Sequence, residues 1–287
     1  MPEISEFRPS PIAGRWYDKD PVRLARQIDA FLDQASLPPL NGEVVGLIAP
    51  HAGHIYSGLT AAYAFRSVRG QHFDLVVVIS PLHGFHPADA LTSAHKAYQT
   101  PLGPVWIDTG LVKSLDEKMR LDYGWGLTYI GRDQEHSLEI ELPFLQRALP
   151  DSFKLLPVML RTQEPALIRQ FASTLASVLV DRKVLLVAST DLSHFFPERT
   201  ANGLDEAMLA QVAAFSPEGV LQAEREEKGF ACGVAAVAAV LWSARELGAT
   251  SAVILHHSTS GEKTGDYDSV VGYGAAAILK ENSVSNK

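Results

Sequence analysis

Short apolar runs alternate along this chain with longer stretches of helical periodicity. Four runs are rich in β-branched and aliphatic residues, as is typical of buried strands: residues 44–49, 75–80, 154–160 and 184–190. Two more, 252–256 and 269–277, come near the end of the sequence. Alternation of this kind predicts an α/β fold with a mostly parallel central sheet and helices on both of its faces.

The predicted helices lie between these runs. An amphipathic pattern over residues 21–34 places Leu24, Ile28 and Leu32 on one face. Further helical patterns cover residues 59–68, 110–119, 137–149, 166–180, 204–215 and 230–247. The segment 101–104 predicts a hairpin or an edge excursion. No repeat, low-complexity tract or linker interrupts residues 1–287, so the sequence predicts a single domain.

Composition and charge narrow the class of protein. Of the 287 residues, 46% are hydrophobic, which is enough to fill one large core. The formal net charge is -8, without the basic block that binds nucleic acid or anionic lipid. The chain begins without the basic and apolar regions of a secretory signal, and its single cysteine, Cys232, cannot form an internal disulfide. We therefore expect a cytoplasmic protein without nucleic-acid or membrane partners.

Three of the predicted strands are each followed by a histidine. His51 follows the run 44–49, His83 follows 75–80, and His194 follows 184–190. Because the carboxyl ends of parallel strands meet at one edge of a sheet, where ligands bind, we expect these imidazoles to converge. Each histidine taken alone would more often be a cap or packing residue.

Cys232 is a further candidate ligand. It lies in the sequence GFACG at the predicted start of a strongly apolar helix, whose dipole would favour its thiolate. Two imidazoles and a thiolate suit Fe(II), Cu or Zn rather than Mg or Ca. The structural alternative is that Cys232 is a small buried hydrophobe.

Five motifs, in this order, resemble the Memo family, whose bacterial members are called AmmeMemoRadiSam system protein B. They are APHAG (49–53), SPLH (80–83), EHSLE (135–139), STDLSH (189–194) and ACG (231–233). That family is similar in fold to the class III extradiol dioxygenases. Those non-haem iron enzymes bind metal through two histidines and a glutamate, and use another histidine as acid or base.

The resemblance implies a role for each candidate residue. His51 and His83 would be metal ligands, and Cys232 would stand where the dioxygenases have glutamate. His194 would be the acid or base. The remaining catalytic candidates in the pocket would be Asp191, His136 and Glu139.

Structural alternatives stay open for several of these residues. Asp191 and His194 could form a helix-start network, since aspartate is a favoured N-cap. His136 and Glu139, at i and i+3, could be a local hydrogen-bonded pair. His54 stands where Memo proteins often carry tyrosine, and would be either an additional ligand or a polar wall.

Three functions are compatible with these residues. The first is an Fe(II)-dependent, dioxygenase-like oxidoreductase that acts on a small aromatic or phenolic molecule, although Cys232 in place of glutamate separates the chain from working dioxygenases. The second is a non-catalytic adaptor that holds metal or a peptide in a vestigial cleft. The third is a zinc hydrolase. The resemblance also implies radical-SAM and AMMECR-type pathway partners.

Overall fold

The computed structural model describes residues 5–281, so residues 1–4 and 282–287 of the predicted domain lie outside the described residues. Within the described range there are twelve strands: β1 (Phe7–Arg8), β2 (Glu43–Ala49), β3 (Leu75–Ser80), β4 (Ala90–Ser93), β5 (Ala97–Thr100), β6 (Gly103–Trp106), β7 (Thr128–Ile130), β8 (Lys154–Leu160), β9 (Val184–Ser189), β10 (His194–Phe196), β11 (Ser251–Thr259) and β12 (Val270–Lys280).

The same range contains nine α-helices: α1 (Pro21–Gln34), α2 (His54–Arg66), α3 (Thr109–Tyr123), α4 (Leu142–Ala148), α5 (Pro165–Leu179), α6 (Glu198–Ala213), α7 (Pro217–Arg225), α8 (Val234–Glu246) and α9 (Gly261–Thr264). A 3-10 turn, Glu139–Glu141, leads directly into α4. None of the helices described here is both long and apolar enough to cross a bilayer.

The large sheet is mixed, with a parallel centre. Its strand order is β10, β12, β2, β9, β3, β8, β4, β7, and β11 also pairs with β12. The four central strands β2, β9, β3 and β8 run parallel to one another. The α/β prediction is confirmed, but β12 is antiparallel to both β2 and β11, and β4 is antiparallel to β8.

The buried strands were predicted accurately because their apolar runs are nearly uniform. Every residue of β3 and of β9 is buried, which requires cover on both faces of the sheet. Helix α8 packs against β9, β3 and β2, while α2 packs against β12, β11 and β2. The predicted hairpin at 101–104 is also confirmed, since β5 and β6 pair around this turn.

Two helix predictions were partly wrong. The stretch 137–149 is a 3-10 turn followed by the short α4, and the stretch 230–247 is helical only over α8. The chain before α8 is held in a turn by close packing: a Cβ on Gly233 would lie 2.4 Å from the carbonyl oxygen of Ser189. Cys232 therefore precedes the helix and lies against the end of β9.

Candidate metal centre

The carboxyl ends of three adjacent strands form the floor of the site. β9 lies between β2 and β3, and Ala49 and Ser189 are register partners at the strand ends. The loops that follow these strands carry His51, His83 and Asp191. For His51 and His83 this arrangement is the convergence that the strand-end pattern predicts, whereas His194, the third histidine of that prediction, is not among the described residues whose donor atoms lie within 4.8 Å of one another.

Three imidazoles form one cluster. The donor nitrogens of His51, His83 and His136 all lie within 4.8 Å of one another. The rings of His83 and His136 are stacked, with centroids 4.7 Å apart, and His51 meets both rings edge-on. His136 lies just before the 3-10 turn. The sequence predicted it as a pocket residue, and the structure places it beside the two predicted ligands.

One nitrogen of each ring already has a polar neighbour. Nδ1 of His51 lies 2.9 Å from Oγ of Ser189, and Nδ1 of His83 lies 3.0 Å from Oε1 of Glu135. Nδ1 of His136 is 3.2 Å from that same carboxylate oxygen. Histidine ligands usually have their second nitrogen hydrogen-bonded in this manner. Within residues 5–281 no hydrogen bond engages Nε2 of His83 or His136, and Nε2 of His51 faces the sulfur of Cys232 at 3.1 Å, so these residues fit a metal of the Fe, Cu or Zn class.

Glu135 supports the cluster, although the sequence assigned it no role. Its Oε2 accepts the backbone N–H of His83 at 2.6 Å, and its Oε1 accepts the N–H groups of His136 and Ser137 at 2.8 and 2.9 Å. Burial raises the pKa of Glu135, but these hydrogen bonds and the one from the His83 ring outweigh it and leave the pKa below its ordinary value. The only sequence signal was an acidic residue directly before His136.

The imidazoles differ in their protonation. Burial, followed by the nearby His136 and His83, lowers the pKa of His51 well below its ordinary value. Burial also lowers the pKa of His136 to about 4. The hydrogen bond to Glu135 instead raises the pKa of His83, against the effect of its partial burial. Two of the three rings are thus neutral at pH 7 and available as ligands.

Cys232 contacts this cluster through His51. Its Sγ lies 3.1 Å from Nε2 of His51 and accepts the backbone N–H of Asp191 at 3.2 Å. Burial, and then the charge of Asp191, raises the pKa of the thiol far above its ordinary value. The expectation of a dipole-favoured thiolate is therefore wrong, because Cys232 is half-buried and precedes α8. Its role as a ligand stays a prediction.

Asp191 and His194 lie in the same cleft as the cluster. The Oδ1 atom of Asp191 accepts the backbone N–H of His51 at 2.8 Å, and its Oδ2 lies 4.0 Å from the Nε2 of that ring. Burial raises the pKa of Asp191 to about 7, although this hydrogen bond and one from Ala52 oppose the shift. Burial lowers the pKa of His194.

A β-bulge places His194 and Phe195. The pairing of β10 with β12 shifts register between His194 and Phe196, so that Phe195 has no partner. Phe195 has a φ of 64°, which is unusual for a bulky residue, and its side chain is 74% exposed. Bulges near active sites commonly redirect side chains. Here, both His194 and Phe195 line the cleft of about 590 Å³.

Apolar side chains surround the polar floor of this cleft. Ile55 and Tyr56 stand at its mouth and are 58% and 40% exposed, and Tyr273 lies deeper in the wall. A second cavity, of about 860 Å³, shares only the stacked pair His83 and His136 with the first. The floor can bind a metal, and the wall can accommodate an apolar or aromatic molecule next to it.

The structure does not bring Glu139 or His54 into the cluster. The Glu139 carboxylate accepts hydrogen bonds from Arg8 and from the Tyr17 hydroxyl, each at 2.6 Å, and it also contacts Ser10. His54 is buried between the rings of Tyr17 and Phe144, and burial lowers its pKa to about 4. Both residues belong to the packing beneath the site.

A family model and two sequence relatives agree on one family. A family model described as "Memo-like protein" matches residues 8–277. The chain is 30% identical over 272 residues to a MEMO1 family protein of Nitrosopumilus maritimus, covering 93% of this chain and 98% of that one. It is 32% identical over 271 residues to a MEMO1 family protein of Methanothermobacter thermautotrophicus, covering 91% and 96%. Among solved structures, it is similar to the uncharacterized protein JW3007 from Escherichia coli K12, with a TM-score of 0.47, 14% identity, and coverage of 81% of this chain and 99% of that chain.

Proposed function

Because this chain belongs to the Memo family, we propose that it binds one Fe(II) ion through His51, His83 and Cys232 and acts as an oxidoreductase on a small aromatic or phenolic molecule. The observation that supports a metal is the orientation of the cluster. Each of its three imidazoles has Nδ1 beside a polar group of the protein, and one ligand nitrogen from each ring lies within 4.8 Å of those of the other two.

Cys232 and His136 are the two candidates for the third ligand position. Cys232 has its sulfur 3.1 Å from Nε2 of His51, and His136 completes the set of three clustered nitrogens. A divalent ion bound beside His51 would favour loss of the proton of the Cys232 thiol. We therefore assign the third position to Cys232 and a neighbouring position to His136.

When bound, Fe(II) supplies the redox chemistry with O2 that side chains lack. Asp191 and His194 then provide the groups that can hold or move a proton. The pKa of Asp191, about 7, lies close to physiological pH, which is the condition for efficient general acid or base catalysis. Ile55, Tyr56 and Phe195 would contact the flat face of a substrate and limit the access of water.

A non-catalytic adaptor is the second candidate. It is favoured by one observation: the exposed side chains of Phe195 and Ile55 line the same cleft, and a cleft with apolar walls also suits a bound peptide. In that function the metal would be held without turnover. A zinc hydrolase would use the same three ligands and a bound water.

Metal analysis of protein purified without added metal is the first experiment. We expect Fe in the wild type, a clear loss of bound metal in His51→Ala and in His83→Ala, and no loss in His72→Ala, a surface histidine paired with Asp151. Zinc as the dominant native metal would favour the hydrolase. Unchanged metal content in both cluster variants would contradict the site altogether.

Cobalt substitution tests the third ligand. A thiolate bound to Co(II) gives a charge-transfer absorption band that an all-nitrogen site lacks. We expect this band in the wild type and in His136→Ala, and its loss in Cys232→Ser. If the wild type binds Co(II) without showing this band, Cys232 is not a ligand, and His136 is the remaining candidate for the third position. Anaerobic loading with Fe(II), followed by O2 uptake measured with 4-nitrocatechol, then separates turnover from metal storage.

A further inference from the structure

A buried acid lies directly behind the His51 ring. Glu141 ends the 3-10 turn and is 1% exposed, and its Oε1 lies 2.7 Å from Oγ of Ser189. Ser189, the last residue of β9, is fully buried, and its Oγ is 2.9 Å from Nδ1 of His51. The metal-binding residues described above do not include Glu141, and within residues 5–281 its Oε2 has no hydrogen-bond partner.

The Ser189 hydroxyl has three neighbours but only one proton. The third neighbour is the carbonyl oxygen of Ser137, at 2.6 Å, which can only accept. A serine hydroxyl donates one hydrogen bond and accepts two. If Ser189 donates to this carbonyl, then Nδ1 of His51 and Oε1 of Glu141 must each bring a proton. This assignment satisfies all three contacts.

The other assignments leave a buried contact without a proton. If Ser189 donated to an ionised Glu141, its oxygen and the Ser137 carbonyl would face each other at 2.6 Å with no hydrogen between them. If Ser189 donated to Nδ1 of His51, the same clash would arise at the carbonyl. Unpaired buried acceptors are rare and destabilising in folded proteins.

The surroundings of Glu141 also favour its neutral form. Burial raises the pKa of Glu141 well above its ordinary value, and the charge of the nearby Asp191 raises it further, against the hydrogen bond with Ser189. An ionised carboxylate would leave a charged Oε2 buried without a partner, whereas a neutral acid leaves only a carbonyl oxygen there.

We propose that Glu141 is a positioning residue whose neutral carboxyl group, acting through Ser189, keeps the proton of His51 on Nδ1 and the lone pair of Nε2 directed at the metal centre. The arrangement of protons exists in the metal-free protein. Only its effect on affinity rests on the proposed metal function. The carboxyl group touches neither metal nor substrate, and its role is to fix the tautomer of a ligand.

Two spectroscopic measurements test the proton positions without any metal. We expect the ¹⁵N spectrum of labelled metal-free protein to show His51 as the Nδ1–H tautomer at pH 7. In the infrared difference spectrum between wild type and Glu141→Gln, we expect the C=O band of a neutral carboxylic acid. An ionised carboxylate signal in that difference, or an Nε2–H tautomer for His51, would overturn the proposal even if the protein bound no metal.

Metal titrations test the positioning role. Glu141→Gln keeps an N–H donor toward Ser189, so we expect an affinity for Co(II) within about threefold of the wild type and an unchanged pH profile. Glu141→Leu removes the donor, and Ser189→Ala removes the acceptor, so each should weaken binding by about 10- to 100-fold. Glu43→Gln, at an exposed position on β2, is the control for the loss of an acid.

Either of two results would contradict this role. The first is a pH profile of metal binding that shifts in Glu141→Gln, since an acid that stays neutral cannot contribute to it. The second is a Ser189→Ala variant with an unchanged His51 tautomer and unchanged affinity. If Glu141→Leu does not fold, Ser189→Ala still tests the positioning role, because this substitution removes one hydroxyl group and adds no bulk.

Discussion

The carboxylate of Glu135 holds His83 at two points. Oε2 accepts the backbone N–H of His83 at 2.6 Å, and Oε1 lies 3.0 Å from its Nδ1. One acidic side chain thus fixes both the loop and the ring of a proposed ligand, and through Oε1 it reaches the backbone of His136 as well. Glu135 therefore positions two of the three clustered imidazoles of the proposed metal centre.

We expect Glu135→Gln to weaken metal binding by about 10- to 100-fold. Both carboxylate oxygens of Glu135 accept N–H groups, but glutamine has an NH2 group, itself a donor, in place of one of them. Glutamine also lacks the negative charge that makes these hydrogen bonds strong. A chelator competition titration with Co(II) measures the change. Glu6→Gln, at an exposed pair with Lys96, is the control. Equal affinities of wild type and Glu135→Gln would show that His83 does not need this support.

Glu135→Gln should also change the pKa of His83. The hydrogen bond to Glu135 is the largest cause of the raised pKa of His83, so Glu135→Gln should lower that pKa in the metal-free protein. In the wild type, metal binding should weaken as the pH falls through the raised pKa of His83, because the metal and the proton compete for its ring. NMR titration of the His83 ring in both proteins measures the difference in pKa.

Phe195 allows a test that separates backbone strain from ligand contact. Its φ of 64° favours glycine, so Phe195→Gly should be more stable than Phe195→Ala by about 1 kcal/mol, as judged by urea denaturation. Because the ring is 74% exposed, both variants should lose far less than the roughly 3–5 kcal/mol of a buried Phe→Ala change. Both should bind 4-nitrocatechol more weakly if the ring contacts the substrate. An alanine variant more stable than the glycine variant would contradict the conformational argument.

His54 makes the metal-free protein sensitive to acid. Burial lowers its pKa from 6.5 to about 4, so the unfolded chain binds a proton that the folded protein excludes. The contribution to stability is complete above pH 6.5 and falls as the pH drops towards 4, by about 3 kcal/mol in total. His54→Phe, which keeps the packing on Tyr17 and Phe144, should show a smaller loss of unfolding free energy between pH 7 and pH 5. Identical pH slopes in the two proteins would refute this explanation.

The sequence predicted the parts of the site that local patterns encode. Uniform apolar runs predict the buried strands, and the position directly after a strand end predicts that His51 and His83 converge. Residues placed by distant contacts were not predictable in this way. Glu139 is turned away from the cleft because Arg8, 131 residues earlier in the chain, binds it, and nothing near Glu139 in the sequence indicates this pairing. The role of Glu135 likewise depends on the loop that contains His83.

Arg8 connects the N-terminal segment to the loop that carries Glu135 and His136. Its guanidinium group is buried, donates to Glu139 at 2.6 Å and to the carbonyl oxygen of Glu135 at 2.7 Å, and also pairs with Asp133. It therefore holds both ends of the segment 133–139. Removal of one partner of a buried ion pair leaves the remaining charges uncompensated.

We expect Arg8→Leu to lower the free energy of unfolding by about 3–5 kcal/mol and to weaken metal binding, because the loop is released at both ends. Without Arg8, the buried carboxylates of Asp133 and Glu139 lose their partner. The double variant Arg8→Leu with Glu139→Leu removes one of these carboxylates, so its loss of unfolding free energy should be clearly smaller than the sum of the losses in the two single variants. Urea denaturation of the four proteins at pH 7 gives this coupling energy. If the effects of the two single variants add, Arg8 and Glu139 do not stabilise each other, and the N-terminal segment does not position the metal centre through this pair.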